Sequence, residues 1–331
     1  MLTMFAACLL ASSVTLGPAA VEPDRNLPLK MVADVPLSGR TTRWDYASFD
    51  PRTDLLFIAH LGDSVVTVFN TQSQKIVADI PGVGQVHGVL VIPELDRVYA
   101  SATQSNEVLA IDEKTFKIIA RIPGGNYPDG MAYAADAHKL YVSDEFGETE
   151  TVIDVNSNTR VATIAMGGEV GNTQYDPGSR HIFANVQSRG ELVELDPNTD
   201  KVVARHRLEG AKGNHGLVIE PMGRLAFIAC EDNDKLLVFD MKAMTVILSF
   251  AVGAGPDVLA LDPSMHRLYV AGEQGIASVF DVGDGSLRKL GEEFVGPDAH
   301  VVAVDGRTHR VYFPLKDLGG RSALRVMEPS P

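Results

Sequence analysis

A short sequence repeat, called the phrase below, occurs seven times along the chain, and histidine and aspartate alternate at one of its positions. Aligned on that phrase, the seven equivalent positions are Asp45, His87, Asp129, Gly171, His215, Asp257 and His300. The whole chain contains nine histidines, so three of them in seven equivalent positions is far from a random placement. Three neutral imidazoles that meet on a common axis suit Zn²⁺ or Cu²⁺ with one open coordination position. The alternating aspartates could accept hydrogen bonds from these imidazoles and fix their tautomers.

A second position, at the end of the next strand of the phrase, holds His60, Asp144 and Cys230 in three of the copies, and glutamates follow directly at 145, 231 and 273. The resulting prediction has three parts: ligand contacts from Arg43, Asp45, Asp129, Asp144, Asp257 and Glu231, a metal ion held by His87, His215 and His300, and proton transfer by His60 or Asp129. A metal-free site for an anionic or sugar-like ligand, with Arg43 available for a carboxylate, is the alternative to the metal ion. Two plainer interpretations also stay open. A hydrated channel mouth attracts polar residues without any ligand, and Cys230 ends an apolar strand, where a buried inert thiol is the commoner case.

The phrase that positions these residues consists of two short strands joined by a turn, as in DYASFDPRTDLLFIAH from Asp45. Its copies begin at 45, 87, 129, 171, 215, 257 and 300, which is 42 to 44 residues apart and is the period of a propeller blade. A third and a fourth strand follow in most copies, with alternating and β-branched residues and with Asp, Asn and Thr in the turns. The sequence predicts an all-β, seven-bladed β-propeller that forms a single domain over residues 21–331.

The seventh copy ends after its third strand, at ALRVMEP. The segment VADVP from Val32 closely resembles VADIP from Val77, which is the fourth strand of the first copy. We therefore predict that residues 30–36 complete the last blade, which would close the ring and remove an exposed sheet edge. In such a ring the first strand of each blade begins on the same face of the ring on which the second strand ends. The residues at the first repeat position and those at the end of the second strand therefore lie at one mouth of the central channel.

Charge and the amino terminus restrict the function further. Lys and Arg total 29 against 43 Asp and Glu, for a net charge of −14, which argues against a nucleic-acid-binding protein. The first twenty residues are uncharged and end in small residues, which predicts a signal peptide over 1–20 and a periplasmic or secreted protein. The mature chain would keep Cys230 as its one cysteine and would have no further membrane segment; we expect a monomer.

The strand phrases FIAH, YASA, YVSD, FANV, FIAC, YVAG and YFPL, with turns such as NTQSQK, resemble the YncE-like family of exported seven-bladed propellers built from YVTN repeats. This resemblance covers essentially all of the mature chain. It implies a binding or scaffold protein for a small molecule, a metal ion or an exported partner protein. Related propeller folds also carry enzymes, so a metal-assisted lyase or lactone hydrolase that uses the same mouth stays open as the alternative.

Overall fold

Short β-branched segments separated by tight turns form seven antiparallel sheets of four strands each within residues 26–283 and 286–330, which the computed structural model describes. The sheets are the blades of a propeller, so the predicted fold is confirmed. Blade 7 combines β1 (Leu29–Pro36) with the last three strands of the chain. The predicted signal peptide, residues 1–20, lies outside the described residues.

The other strands follow in chain order. Blade 1 contains β2 (Ala47–Asp50), β3 (Leu55–His60), β4 (Val65–Asn70) and β5 (Lys75–Pro81); blade 2 contains β6 (Val86–Ile92), β7 (Arg97–Ala102), β8 (Glu107–Asp112) and β9 (Ile118–Pro123). Blade 3 contains β10 (Pro128–Ala134), β11 (Lys139–Asp144), β12 (Thr149–Asp154) and β13 (Thr159–Ala165); blade 4 contains β14 (Val170–Asp176), β15 (His181–Val186), β16 (Glu191–Asp196) and β17 (Lys201–Arg207). Blade 5 contains β18 (Asn214–Glu220), β19 (Leu225–Cys230), β20 (Lys235–Asp240) and β21 (Thr245–Ala251); blade 6 contains β22 (Pro256–Asp262), β23 (Arg267–Gly272), β24 (Ile276–Gly283) and β25 (Ser286–Phe294). Blade 7 adds β26 (Ala303–Asp305), β27 (Arg310–Leu315) and β28 (Ala323–Pro329).

Seven three-residue 3-10 helices join strands within these described ranges. They are Leu61–Asp63, Pro93–Leu95, Thr103–Ser105, Ala135–Ala137, Glu145–Gly147, Gln187–Arg189 and Glu231–Asn233. In the described part of the chain, no helix is long and apolar enough to cross a bilayer.

The ring closes through the amino-terminal strand. β1 pairs antiparallel with β28 from Leu29↔Pro329 to Pro36↔Ala323, which confirms the closure predicted for residues 30–36. The Arg325 guanidinium donates two hydrogen bonds of 2.8 Å to the Asp34 carboxylate across this pair. Blade 7 thereby has four strands, as the other blades in the described ranges do, and the seam of the ring, where β1 pairs with β28, is hydrogen-bonded.

A β-bulge interrupts the innermost strand of blades 2 to 6 and determines where the alternating His and Asp residues lie. In blade 2, Val86 pairs with Ala102 and Val89 pairs with Ala100, so His87 and Gly88 together face the single residue Ser101. The same register shift places residues 129–130, 171–172, 215–216 and 257–258 in bulges. Bulges commonly redirect a side chain next to a functional site.

Glycine follows the bulge residue in three blades because the innermost strands approach each other too closely for a side chain. A Cβ on Gly216 would lie 1.9 Å from the Asp257 carbonyl oxygen in the next blade, and one on Gly88 would lie 2.2 Å from the Asp129 carbonyl oxygen. Buried polar side chains bind the bulge backbone. The Gly88 N–H donates to Ser101 Oγ at 2.6 Å, and Asn185 Nδ2 donates to the His215 carbonyl at 2.9 Å.

Apolar clusters between neighbouring blades hold the ring together. The cluster at the seam contains Trp44, which is 1% exposed and packs with Phe69 of blade 1 and Tyr312 and Leu324 of blade 7. Similar clusters lie between the other blades, for example around Phe57 and Val98 between blades 1 and 2. The inner channel is therefore bordered by rigid, packed strands, which hold the bulge residues in place.

Candidate functional site

A cavity of about 340 Å³ lies at the mouth of the channel where the bulges begin. It is lined by Arg43, Asp45, Tyr46, Leu61, Gln85, His87, Tyr127, Asp129, Glu145, His215, Glu231, Asp257 and Glu273. Five of the seven equivalent positions of the repeat thus contribute side chains to the wall of this cavity. They are Asp45, His87, Asp129, His215 and Asp257. The glutamates come from the turns directly after β11, β19 and β23, as the repeat predicts.

Acidic groups dominate this wall. Within the described residues it carries six carboxylates against one guanidinium and two imidazoles. The guanidinium of Arg43 is already occupied, since it donates to both Glu273 carboxylate oxygens at 2.7 and 3.0 Å and lies 3.6 Å from Asp45 Oδ2 and 3.9 Å from Asp257 Oδ2. Burial favours the protonated form of Glu273, but the hydrogen bonds from Arg43 outweigh it and hold the pKa of Glu273 below its ordinary value.

Three aspartates of the wall are almost fully buried, with Asp45, Asp129 and Asp257 each 3 to 4% exposed. Burial raises the pKa of Asp45 and of Asp257 to about 7 and that of Asp129 to about 6, and repulsion between these carboxylates adds to the effect. Asp129 Oδ1 and Asp257 Oδ1 have no hydrogen-bond partner within residues 26–283 and 286–330. Burial likewise raises the pKa of Glu145 and of Glu231. The wall of the cavity therefore contains buried acidic oxygens without hydrogen-bond partners in the described ranges, and one of them, Asp257 Oδ1, lies 3.8 Å from His215 Nε2.

His215 is the second fixed cation of the site. Gln187 Nε2 donates to Glu145 Oε1, so Gln187 presents its carbonyl oxygen to His215 Nδ1 at 2.9 Å and accepts a hydrogen bond from it. The Tyr46 hydroxyl donates to Asn172 Oδ1 at 2.7 Å, so its oxygen accepts from His215 Nε2 at 3.0 Å. Both ring nitrogens then carry protons. Burial opposes this charge, but the surrounding carboxylates, Glu231 first, raise the pKa of His215 to about 9.

The three histidines predicted to bind one metal ion do not come together. His87 lines the cavity, and both of its ring nitrogens are hydrogen-bonded, to the Gln85 carbonyl at 2.9 Å and to the Tyr127 hydroxyl at 3.0 Å. His300 is fully buried, does not line the cavity, and donates from Nδ1 to the Asp298 carbonyl at 3.0 Å. His215 Nε2 instead lies 3.7 Å from Asp129 Oδ2 and 3.8 Å from Asp257 Oδ1.

Two other groups could hold a metal ion among the residues that the structure describes. They are His215 with Glu231 and Asp257, and Asp257 with Glu273 and His300, and in each group one ligand atom per residue lies within 4.8 Å of the others. These sets mix imidazole with carboxylate and differ from the predicted set of His87, His215 and His300; that a metal ion binds, and that it is Zn²⁺ or Cu²⁺, stays a prediction.

Three residues singled out in the sequence lie away from this cavity. His60 is 1% exposed, stacks on Trp44 with ring centroids 3.7 Å apart, and is bonded through Nε2 to Thr42 Oγ1 at 2.9 Å. Asp144 is buried and accepts from Thr149, Thr151 and the Gly125 N–H, each at 2.8 Å. The segment before β2 covers His60, and the two threonines of β12 occupy Asp144, so neither side chain reaches the mouth.

Cys230 is also fully buried, within the apolar cluster between blades 4 and 5. Burial raises the pKa of its thiol to about 12. The inert interpretation of this cysteine is therefore the one that its surroundings favour.

Asn172 bonds to Tyr46 and Gln187 bonds to His215, and the sequence predicted neither Asn172 nor Gln187 as a site residue. In blade 1 the Asp45 N–H donates to the Ala59 carbonyl and the Ala59 N–H donates to the Tyr46 carbonyl, so Asp45 and Tyr46 face one residue as a bulge does. Tyr46 and Asn172 occupy the second repeat position, which is glycine in blades 2, 3 and 5. Alignment of the seven copies could therefore have singled out Tyr46 and Asn172, because they replace glycine at this position. Gln187 begins a 3-10 helix after β15, at the position of Glu145 and Glu231 in blades 3 and 5.

Comparison with known proteins supports the fold and does not extend to a family. No protein-family model matches the sequence. No curated protein matches it either. A chain of hydrazine synthase from Kuenenia stuttgartiensis is similar in structure, with a TM-score of 0.73 and 16% identity over 88% of this chain and 96% of that one. A chain in the crystal structure of a mitotic checkpoint complex has a TM-score of 0.76 and 10% identity, with 99% of each chain covered. The chain is thus a seven-bladed β-propeller, and its similarity to the YncE-like family stays a resemblance.

Proposed function

We propose that this protein is a binding protein whose channel mouth takes a small ligand that carries a positive charge. The observation that supports this most directly is the imbalance of the cavity wall, where six described carboxylates surround a space of about 340 Å³ and the one guanidinium is already paired. A cation placed there would lie beside the carboxyl groups of Asp129 and Asp257, whose Oδ1 atoms have no hydrogen-bond partner in the described ranges. It would also relieve the repulsion that holds these carboxyl groups partly protonated.

An organic ammonium group is the cation that these contacts favour. Both nitrogens of His215 donate hydrogen bonds, so this imidazole has no free lone pair to offer a metal ion. An ammonium group needs only acceptors, and carboxylate oxygens supply them without any change in His215. We therefore propose a small primary amine or a molecule with an amine-like head group as the ligand.

A divalent metal ion is the second candidate, and one observation supports it. His300 is fully buried, and its Nε2 has no hydrogen-bond partner in the described ranges, while Nδ1 donates to a carbonyl. Zn²⁺ accepts imidazole and carboxylate ligands together, and His300 lies near Asp257 and Glu273. The His300 nitrogen that lies 4.0 Å from Glu273 Oε2 is Nδ1, however, and it already donates to the Asp298 carbonyl. Glu273 would have to release Arg43 to take part, which weakens this candidate relative to the ammonium ligand.

A thermal-shift panel tests the proposal and separates the two candidates. n-Propylammonium, n-propanol and propionate share a chain and differ in charge, and ZnCl₂ and CuCl₂ test the metal. We expect n-propylammonium at millimolar concentration to raise the melting temperature by about 2 °C or more at pH 8, because a ligand that binds the folded state stabilises it. Neither n-propanol nor propionate should do so. Stabilisation by the metal salts alone, with bound metal in an elemental analysis, would replace the ammonium ligand with the second candidate.

Catalysis at the same mouth stays the alternative proposal. A general base works best with a pKa near the working pH, and Asp129, with a pKa of about 6 and an unpartnered oxygen in the cavity, meets that requirement. His60, the other candidate base, lies behind Trp44 and off the cavity. A lyase or lactone hydrolase activity would therefore depend on Asp129, and Asp129→Asn would abolish it.

We further propose that the protein is exported and can dock on an exported partner protein. The uncharged leader supports export, and cell fractionation would test it. One structural neighbour belongs to a mitotic checkpoint complex, which supports a role for the propeller faces in protein contacts. The YncE-like resemblance supports both points.

A further inference from the structure

A second cavity occupies the other end of the channel. Its volume is about 560 Å³, and more of its wall is apolar than polar. Phe49, Leu90, Met131, Leu217 and Leu261 are among the apolar lining residues, and Ser48, Gln174, Asp305 and Arg307 are among the polar ones. The two cavities therefore differ in chemistry: the mouth is acidic, whereas the other cavity offers apolar surface to a hydrocarbon chain.

Tyr46 lies between the two cavities and lines both. Its strand belongs to blade 1, and its hydroxyl bonds to Asn172 Oδ1 of blade 4 at 2.7 Å and to His215 Nε2 of blade 5 at 3.0 Å. In a ring of seven, blades 4 and 5 are the two farthest from blade 1, so the tyrosine side chain crosses the bore. Asn172 Oδ1, which accepts the Tyr46 hydrogen bond, has room because residue 130 is glycine. A Cβ at that position would lie 2.5 Å from Asn172 Oδ1.

We propose that Tyr46 is the specificity-determining residue that confines the bound cation to the acidic mouth, by separating it from the apolar end of the channel. This inference rests on the proposed cation-binding function and adds to it the class of ligand: a short amine, for which a longer hydrocarbon chain brings no gain in affinity. With the tyrosine in place, a longer chain can extend only outwards into water. Without it, the chain can enter the apolar cavity, and each methylene buried there strengthens binding.

The test measures chain-length selectivity by isothermal titration calorimetry at pH 8, using n-propylammonium and n-octylammonium chloride. In the wild-type protein the two amines should bind with affinities within about threefold of each other. In Tyr46→Ala the octyl compound should bind at least about tenfold more tightly than the propyl compound, because five further methylenes become buried. Tyr46→Phe keeps the ring across the bore and should retain the wild-type ratio.

Two controls make the result specific. Tyr175→Ala removes a tyrosine that lies on β14 and bonds to Asp136 at 2.9 Å, and it should leave the ratio unchanged because Tyr175 lines neither cavity. Tyr46→Val opens the bore with a smaller loss of packing and serves as the second variant if Tyr46→Ala does not fold. If the wild-type protein binds n-propylammonium but the ratio of octyl to propyl affinity is unchanged in both Tyr46→Ala and Tyr46→Val, the role of Tyr46 is overturned and the proposed function stands. Failure of the wild-type protein to bind either amine would overturn the proposed function, and this inference with it.

Discussion

Asp45, Asp129 and Asp257 illustrate at the residue scale how burial and charge compete in this site. Each is held by its bulge in a nearly water-free position, and each has a pKa of about 6 or 7 as a result. His215, with a pKa of about 9, and Arg43 supply fewer positive charges than the wall needs when all its carboxyl groups are ionised. The mouth therefore attracts a cation most strongly at pH values above the pKa values of the three aspartates.

This receptivity predicts a pH dependence of binding. Because their pKa values are raised to about 6 to 7, the three aspartates are mostly protonated at pH 5 and mostly ionised at pH 8. A cation binds the ionised form, so its affinity rises with pH, and binding below pH 7 releases protons. We expect the affinity for n-propylammonium to increase at least about tenfold from pH 5 to pH 8. Calorimetry in buffers of different ionisation enthalpy measures both quantities; an affinity that does not change over this range would exclude the aspartates as the binding groups.

Sequence reasoning placed the aspartates correctly at the mouth and misplaced His60 and Asp144. Asp45, Asp129 and Asp257 share one register with respect to a repeated bulge, so a single alignment of the copies locates all of them. His60 and Asp144 also end their strands at the mouth face. Their side chains are occupied by Trp44, Thr42 and the threonines of β12, and these contacts join residues whose pairing no repeat pattern specifies.

The bulged innermost strand is the element that builds the site. Two residues opposite one interrupt the ladder, and buried polar groups on the second strand of the same blade (Ser101) or of the preceding blade (Asn185) compensate by bonding to the free backbone. The repeat indicated the strands and their order. It did not indicate the bulge, since an inserted residue that recurs at the same position of successive copies leaves the period unchanged.

Ser101 tests the contribution of these bonds. Its Oγ accepts the Gly88 N–H at 2.6 Å in a fully buried position, so Ser101→Ala leaves a buried donor without a partner. We expect a loss of about 1 to 3 kcal/mol in the free energy of unfolding, measured by urea denaturation. Ser73→Ala, at an exposed turn position, should change it by less than about 0.5 kcal/mol. Equal effects of the two substitutions would contradict this account of the bulge.

At the scale of the whole molecule, ring closure and the partition of the channel join distant parts of the chain. Closure could be predicted because VADVP repeats a segment of the first blade. The partition could not, because the contacts of Tyr46 with blades 4 and 5 depend on the diameter of the closed ring.

The closing strand offers a matched pair of ion pairs for a stability test. Asp34 and Arg325 are bonded twice at 2.8 Å with side chains 23% and 19% exposed, whereas Lys30 and Glu328 on the same two strands are 57% and 36% exposed. Asp34→Ala should lower the free energy of unfolding by about 1 to 3 kcal/mol, because a half-buried guanidinium loses its partner. Lys30→Ala should lower it by less than about 0.5 kcal/mol. If both substitutions are neutral in a urea titration, the seam does not limit the stability of the ring.

Calorimetric titration of n-propylammonium at pH 8 shows whether the acidic channel mouth binds a small cation, as proposed. The wild-type protein should show saturable binding with one site. Asp129→Asn combined with Asp257→Asn keeps the shape of the wall and removes two of its unpartnered acidic oxygens, and it should weaken binding at least about tenfold. Asp136→Asn, at an exposed aspartate that does not line the mouth cavity, should bind as the wild type does. No saturable binding, or equal affinity in the double variant, would contradict the claim.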